Sequence, residues 1–182
     1  MRKYLKEEEL RAVFDQTKSP RDYLMLRLLY ETGMRVGELQ ALVIGDLDLQ
    51  DNEISIQKAK RHQEGRKVPI WNHSTTQLLK MYMQDRPKDE ALFISNKGTP
   101  ISKRQIQRIY EDCAKRAGIE RERQHVHILR HTHAVMALKS GVDLRTLQMN
   151  LGHSKIDITA IYLTLDISER KAVYGKNPLP SI

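Results

Sequence analysis

Apolar residues recur at helical spacing in "EEELRAVFDQ", where Leu10, Val13 and Phe14 share one face and predict a first amphipathic helix. "SPRDYLMLRLLYETG" is punctuated at both ends: Ser19 caps it, Pro20 takes the first helical position and Gly33 stops it. "RVGELQAL" follows directly as a short third helix. The period then changes from helical to alternating. "NEISIQ" sets Ile54 and Ile56 between polar residues, and "RKVPI" repeats that style after the turn-like "HQEG". With "ALVIGDLDL" ahead of them, these runs predict a small antiparallel sheet of three strands. Helices resume at "STTQLLKMYMQ" and at "SKRQIQRIYEDCAKRAG", the latter bounded by a capping box of Ser102 and Gln105 and by Gly118. From residue 127 on, the pattern gives helices separated by Gly141, by "LGHS" and by a loop near Asp166. The expected class is α+β, mainly α-helical with one small antiparallel three-stranded sheet inserted early.

Composition narrows the setting. A chain of 182 residues has room for one domain with a core, and 40% hydrophobic with 30% charged residues fits a folded globular protein. No apolar run approaches the roughly 20 residues that span a bilayer, and "MRKYLKEEEL" has no signal-peptide core, so no membrane association is expected. The lone Cys113 cannot form an internal disulfide, which makes a reducing cytoplasmic location the default. Thirty-one Lys and Arg against 23 Asp and Glu leave a net charge of +8. Such an excess favours a polyanion partner, nucleic acid ahead of an anionic membrane surface.

Candidate chemistry gathers in "HILRHTHAV". His127 and His131 share a helix face, as zinc-binding pairs do, but third ligands are scarce nearby and no Cys-x-x-Cys exists, so no metal is expected. His125 and His133 are assigned to hydrogen bonding within the core. His127 and Arg130, three residues apart, project from one side of a helix. Histidine exchanges protons near neutral pH, and the planar fork of arginine matches phosphate oxygens. Downstream, "LGHS" sets His153 just before a helix that Ser154 can cap, and Tyr162 follows nine residues later. A tyrosine with a free pKa of about 10 becomes a nucleophile when cationic donors surround the phosphate it attacks. The alternative is a core tyrosine with its hydroxyl hydrogen-bonded. The residues alone leave both open.

"HILRHTHAVMALKSGVDLRTLQMNLGHSKIDITAIYL" resembles the C-terminal signature of the tyrosine recombinases, or phage integrase family: His-x-x-Arg-His, then Leu-Gly-His about 20 residues on, then Tyr. "LLYETGMRVGELQAL" resembles that family's first arginine motif, with Glu38 three residues after Arg35. The resemblance runs from "YLKEEELRAVF" to about residue 170 and implies a tyrosine recombinase catalytic-domain fold over residues 1–182. Two departures accompany it. The chain starts directly at the catalytic part, without the family's preceding helical core-binding domain, as a fragment or minimal form would. Lys6 also stands where the family places a small hydroxyl residue at the cap of the first helix.

The resemblance implies roles residue by residue. Arg35 and Arg130 would clamp the non-bridging oxygens of a scissile DNA phosphate, His127 would serve as general base and acid, and His153 would donate a further hydrogen bond. Tyr162 would attack in line, leaving a 3′-phosphotyrosyl link and a free 5′-hydroxyl. Because that link conserves the bond energy, no ATP is expected, and the resemblance implies no metal or other cofactor in cleavage. A lysine in the turn between two strands would protonate the departing oxygen: Lys60, with Lys58 as the competitor. Glu38 and His131 would support the site. Lys58, Arg61, Arg66 and Lys67 in the loop, with Lys103, Arg104 and Arg108 on the helix after Ser102, are candidate DNA contacts.

The expected activity is therefore site-specific cleavage and rejoining of double-stranded DNA, with strand exchange through a Holliday junction in a homotetramer. The segment after Tyr162 would dock on a neighbouring protomer. Competing readings are type IB topoisomerase-like relaxation, a catalytically silent DNA-binding regulator, and a nuclease whose histidines hold a metal.

Overall fold

In a computed structural model, which describes residues 4–57 and 65–152, the chain begins with Tyr4 and Leu5 already buried. Helix α1 (Glu7–Asp15) has Lys6 at its cap position, where no hydroxyl is available. Glu9 compensates from within the helix, its carboxylate accepting the Lys6 N–H at 2.7 Å. Helix α2 (Pro20–Thr32) starts with the Ser19 hydroxyl accepting the Asp22 N–H and ends at Gly33, which has φ +62°. Helix α3 (Val36–Ala41) follows at once, with Arg35 at its cap position.

The sheet is smaller at its first strand than the sequence suggests. Only Leu47 and Asp48 of "ALVIGDLDL" pair, as β1 (Leu47–Asp48). Residues Ile44–Asp46 close a 3-10 turn instead. The Asp46 carboxylate pulls that turn shut by accepting from the Val43 N–H at 3.0 Å and from Gln57 Nε2 at 3.2 Å. Val43 meanwhile bridges to Ala91, a partner no local pattern announces. Strands β2 (Glu53–Ile56) and β3 (Arg66–Pro69) pair antiparallel, and the sheet order is β1-β2-β3. Ile54 lies opposite Val68, and with Ile56 both face the core.

Helix α4 (His73–Met83) is capped by Asn72, and α5 (Lys103–Arg116) by reciprocal bonds between Ser102 and Gln105. Helix α6 (His127–Lys139) and α7 (Leu144–Leu151) complete the described residues. Helix α2 lies at the centre, packing on α4 and α6, while α1 and α3 meet α5. One hydrophobic core spans these elements, and a smaller cluster of Ala134, Leu138, Leu147 and Leu151 joins α6 to α7. Helix α7 also touches β3, so the end of the described chain returns to the sheet. No helix among the described residues is long and apolar enough to cross a membrane.

Thr132 ties the chain's first described residues to α6. Its hydroxyl is fully buried, accepts the Leu5 N–H at 3.0 Å and donates to the Ile128 carbonyl at 2.7 Å. Thr132→Val keeps the shape and strands the Leu5 N–H, which should cost about 1–3 kcal/mol. Denaturant titration should show that loss, and Thr132→Ser should recover most of it.

Candidate functional site

The first site element is set by the three-residue spacing of Arg35 and Glu38, which turns a residue in the first helical turn back toward the cap. Glu38 Oε2 accepts the Arg35 backbone N–H at 2.7 Å, and Oε1 accepts Arg35 Nη1 at 3.1 Å. The Glu38 side chain is only 7% exposed. Arg66, at the start of β3, reaches the same carboxylate with two parallel bonds of 2.9 Å, Nη1 to Oε1 and Nη2 to Oε2. Its Nε donates to the Asn150 carbonyl at 2.8 Å. Burial by itself pushes the Glu38 carboxyl up, but the hydrogen bonds and charges of Arg66 and Arg35 outweigh it and hold the group ionised below its usual range.

Arg130 completes the cluster from α6. Its Nη1 donates to the Gly33 carbonyl and its Nη2 to the Leu151 carbonyl at 2.8 Å. Burial and the neighbouring charge of Arg35 lower its pKa to about 10, with Glu38 opposing and Arg66 adding a lesser push downward. Two guanidinium groups thus meet on one carboxylate, and that of Arg130 lies close enough to feel its charge. Arg35, 38% exposed, is more open than Arg66 at 17%.

Two glycines make the convergence possible. At Gly33 a Cβ would lie 2.6 Å from both His133 Cδ2 and Leu151 Cδ2. At Gly152, φ +64°, a Cβ would lie 2.6 Å from Arg66 Nη1. Both positions need glycine twice over, for backbone conformation and for space.

The remaining candidates separate clearly. His127 opens α6, exposed, on the side of the helix that also carries Arg130. His131 is exposed as well. His125 is exposed and precedes α6, which corrects its assignment to the core: the segment before the helix lies at the surface. His133 is buried, its ring hydrogen-bonded to the backbone at Tyr30 and packed over Gly33. Lys103, Arg104 and Arg108 are exposed on the first turns of α5. The Lys103 stem reaches α3, since a Cβ on Gly37 would lie 3.0 Å from its Cε. Lys67 is exposed and paired with Glu53 at 2.8 Å. Arg66 corrects the expectation of a DNA-facing loop cation, because Glu38 and Asn150 occupy its guanidinium. Lys58, Lys60, Arg61, His153 and Tyr162 lie outside the described residues.

His133 also lines a cleft of about 1000 Å³ with Phe14, Tyr30, Glu31, Trp71 and Met136. Two buried polar atoms there, Glu31 Oε2 and His133 Nε2, have no hydrogen-bond partner among the described residues.

A family model described as the phage integrase family matches residues 3–169. Among curated relatives, tyrosine recombinase XerC of Haemophilus ducreyi is 37% identical over 163 residues, covering 88% of this chain and 53% of that protein. The crystal structure of XerA recombinase superposes with a TM-score of 0.81 at 32% identity, covering 98% of this chain and 64% of the other. XerH site-specific recombinase, solved bound to its difH substrate, gives a TM-score of 0.72 at 25% identity over 92% of this chain and 52% of the other. The chain spans about half the length of the curated relatives it matches.

Burial, together with the charge of Arg130, holds the His133 pKa at about 4, against 6.5 for the free side chain, with the Tyr30 hydrogen bond opposing. As pH falls, the unfolded chain therefore takes up this proton before the folded one does. The contribution of His133 to stability is complete above pH 6.5 and drains away as pH falls toward 4. Thermal melts across that window should show a shallower decline for His133→Asn, which can keep a bond to the Tyr30 backbone without titrating.

Proposed function

The chain belongs to the phage integrase family, and from that premise we propose that it is the DNA-cleaving and rejoining catalytic domain of a site-specific tyrosine recombinase. One observation carries the reading: two guanidinium groups from different helices, Arg35 and Arg130, lie close enough for their charges to interact, and among the described residues Arg130 is hydrogen-bonded by carbonyl oxygens. That leaves a half-buried cationic charge without an ion-pair partner of its own among the described residues, which a phosphate bound between the two arginines would supply. A relative of the same fold, XerH site-specific recombinase, is described bound to its difH substrate.

In this reading Arg35 and Arg130 bind the two non-bridging oxygens of the scissile phosphate, and their bonds strengthen as charge builds toward the transition state. His127 takes the proton from the Tyr162 hydroxyl. Tyr162 then forms the bond to phosphorus, and the bond to the 5′-oxygen breaks. Lys60 gives that oxygen a proton, and His153 donates to the phosphate. Rejoining runs the same steps in reverse with a new 5′-hydroxyl, so no metal, ATP or other cofactor enters. Lys67, Lys103, Arg104 and Arg108, with Lys58 and Arg61, hold the duplex backbone.

Strand exchange needs four protomers on two duplexes. The segment after Tyr162 docks on a neighbouring protomer, and the cleft beside His133 is the surface that suits it. An incoming segment can satisfy Glu31 Oε2 and His133 Nε2 while covering Phe14 and Trp71. A cytoplasmic setting, where DNA is encountered, goes with this reading.

A nicked suicide duplex incubated in EDTA should trap a covalent protein–DNA adduct. Tyr162→Phe should abolish it, and an adduct that survives the change removes Tyr162 as nucleophile. DNA binding with no adduct would mean a silent binding protein, and loss of activity in EDTA would point to a metal nuclease. A substrate with sulfur at the 5′-bridging position supplies a better leaving group and should rescue Lys60→Ala but not Arg130→Ala. Rescue of Lys58→Ala alone would move the acid to Lys58.

A further inference from the structure

Arg130 donates to two backbone carbonyls, that of Gly33 just past α2 and that of Leu151 at the end of α7. They lie 97 and 21 positions from it in the chain. A carbonyl aims a donor only as well as its own backbone is held. One further side chain of α6 reaches the same place. His133, three residues after Arg130 and 8% exposed, sets its ring against Gly33. A Cβ built on that glycine would meet His133 Cδ2 and Leu151 Cδ2 at 2.6 Å each, and His133 Cγ at 3.0 Å. The imidazole and the Leu151 side chain therefore close on one point of the backbone, and that residue carries an acceptor of Arg130.

We propose that His133 is a positioning residue for phosphate binding: its ring, seated where Gly33 meets the Leu151 side chain, holds the two carbonyls that aim the Arg130 guanidinium. This rests on reading Arg130 as a phosphate-binding arginine. Three features carry it. Arg130 and His133 leave α6 on one side, so the guanidinium and the ring reach the same residue, Gly33, together. The ring is itself fixed, being buried and hydrogen-bonded to the backbone at Tyr30 in the last turn of α2. Leu151 is anchored in turn, packed with Ala134, Leu138 and Leu147 between α6 and α7. Gly33, with φ +62°, admits the ring because it has no side chain of its own. The ends of α2 and α7 are thus set against α6 by the neighbour of the arginine they orient.

Stability and phosphate binding separate packing from positioning. His133→Phe keeps a ring over Gly33 but loses the bond to Tyr30. His133→Ala loses both, and His133→Leu takes its place where Ala does not fold. Each variant is measured by thermal melt, by duplex affinity across salt concentrations, and by the NMR signals of the Arg130 guanidinium, which stay separate when its rotation is hindered. His133→Ala should weaken duplex binding on the order of 10-fold at ~0.1 M salt and lower the salt slope by about one, the share of one phosphate contact. Its Arg130 signals should merge. His133→Phe should melt earlier yet keep both the slope and the separate signals. In an Arg130→Ala background, His133→Ala should cost little further affinity, because the group it orients is gone. Affinity that follows the melting temperature through all variants, or an equal loss with and without Arg130, overturns the proposal and leaves His133 a packing residue. No duplex binding by the unaltered chain, or binding that Arg130→Ala leaves unchanged, overturns the phosphate reading itself, and the positioning role with it.

Discussion

A single carboxylate, Glu38, decides whether three arginines can share one small volume. Burying a carboxylate is costly unless it is paired and hydrogen-bonded, and like charges cannot be brought together without an opposite one between them. Glu38 meets both needs, taking a bidentate contact from Arg66 and two further bonds from Arg35. Without it Arg66 would face Arg130 and Arg35 uncompensated, and α3 would lose the bond that closes its first turn. The carboxylate does not cancel the cluster. It leaves a cationic excess that, in the proposed cleavage reading, would match what a phosphodiester carries and then gains at the point of attack. Such matching would favour the transition state over the bound substrate.

Much of this was legible in the chain because its helices are well punctuated. Ser19 with Pro20, Gly33, and the Ser102–Gln105 box each fix an end through a local hydrogen bond or a local backbone conformation, and local physics is what sequence displays best. "ALVIGDLDL" was the misleading stretch. Its apolar alternation imitates a strand, but Asp46 bonds back to Val43 and folds the segment into a turn, and the partner of Val43 is Ala91, far along the chain. His125 misled for a related reason. Its place beside a buried helix suggests burial, yet it falls before that helix begins.

The site shows the same division. Arg35, Glu38, His127 and Arg130 can be picked out by spacing, since each pair lies within one helical turn. Arg66 cannot. Its partners are 28 and 84 residues away, and in sequence it looks like one more cation in a basic loop. Gly33 and Gly152 were half legible. A helix stop explains each of them, but the stop says nothing of the His133 ring or the Arg66 guanidinium packed against the missing side chain. A glycine beside a charged motif therefore carries more information than its turn geometry alone suggests.

The contrast between the arginines is the last step. Arg35 and Arg66 are tied to a carboxylate, so part of their charge is already answered. Arg130 is held by the carbonyl oxygens of Gly33 and Leu151, which fix its orientation but remove no charge. Burial and the nearby charge of Arg35 lower its pKa to about 10. That value still leaves the side chain protonated at neutral pH, so the site keeps an oriented, half-buried cation with no carboxylate bonded to it among the described residues. Neutral acceptors are what allow this: a carboxylate at the same place would hold the guanidinium equally still and would compete with the phosphate for it. The backbone ends of α2 and α7 thus perform a task that no acidic side chain could, which is why the two glycine-terminated helices must meet at α6.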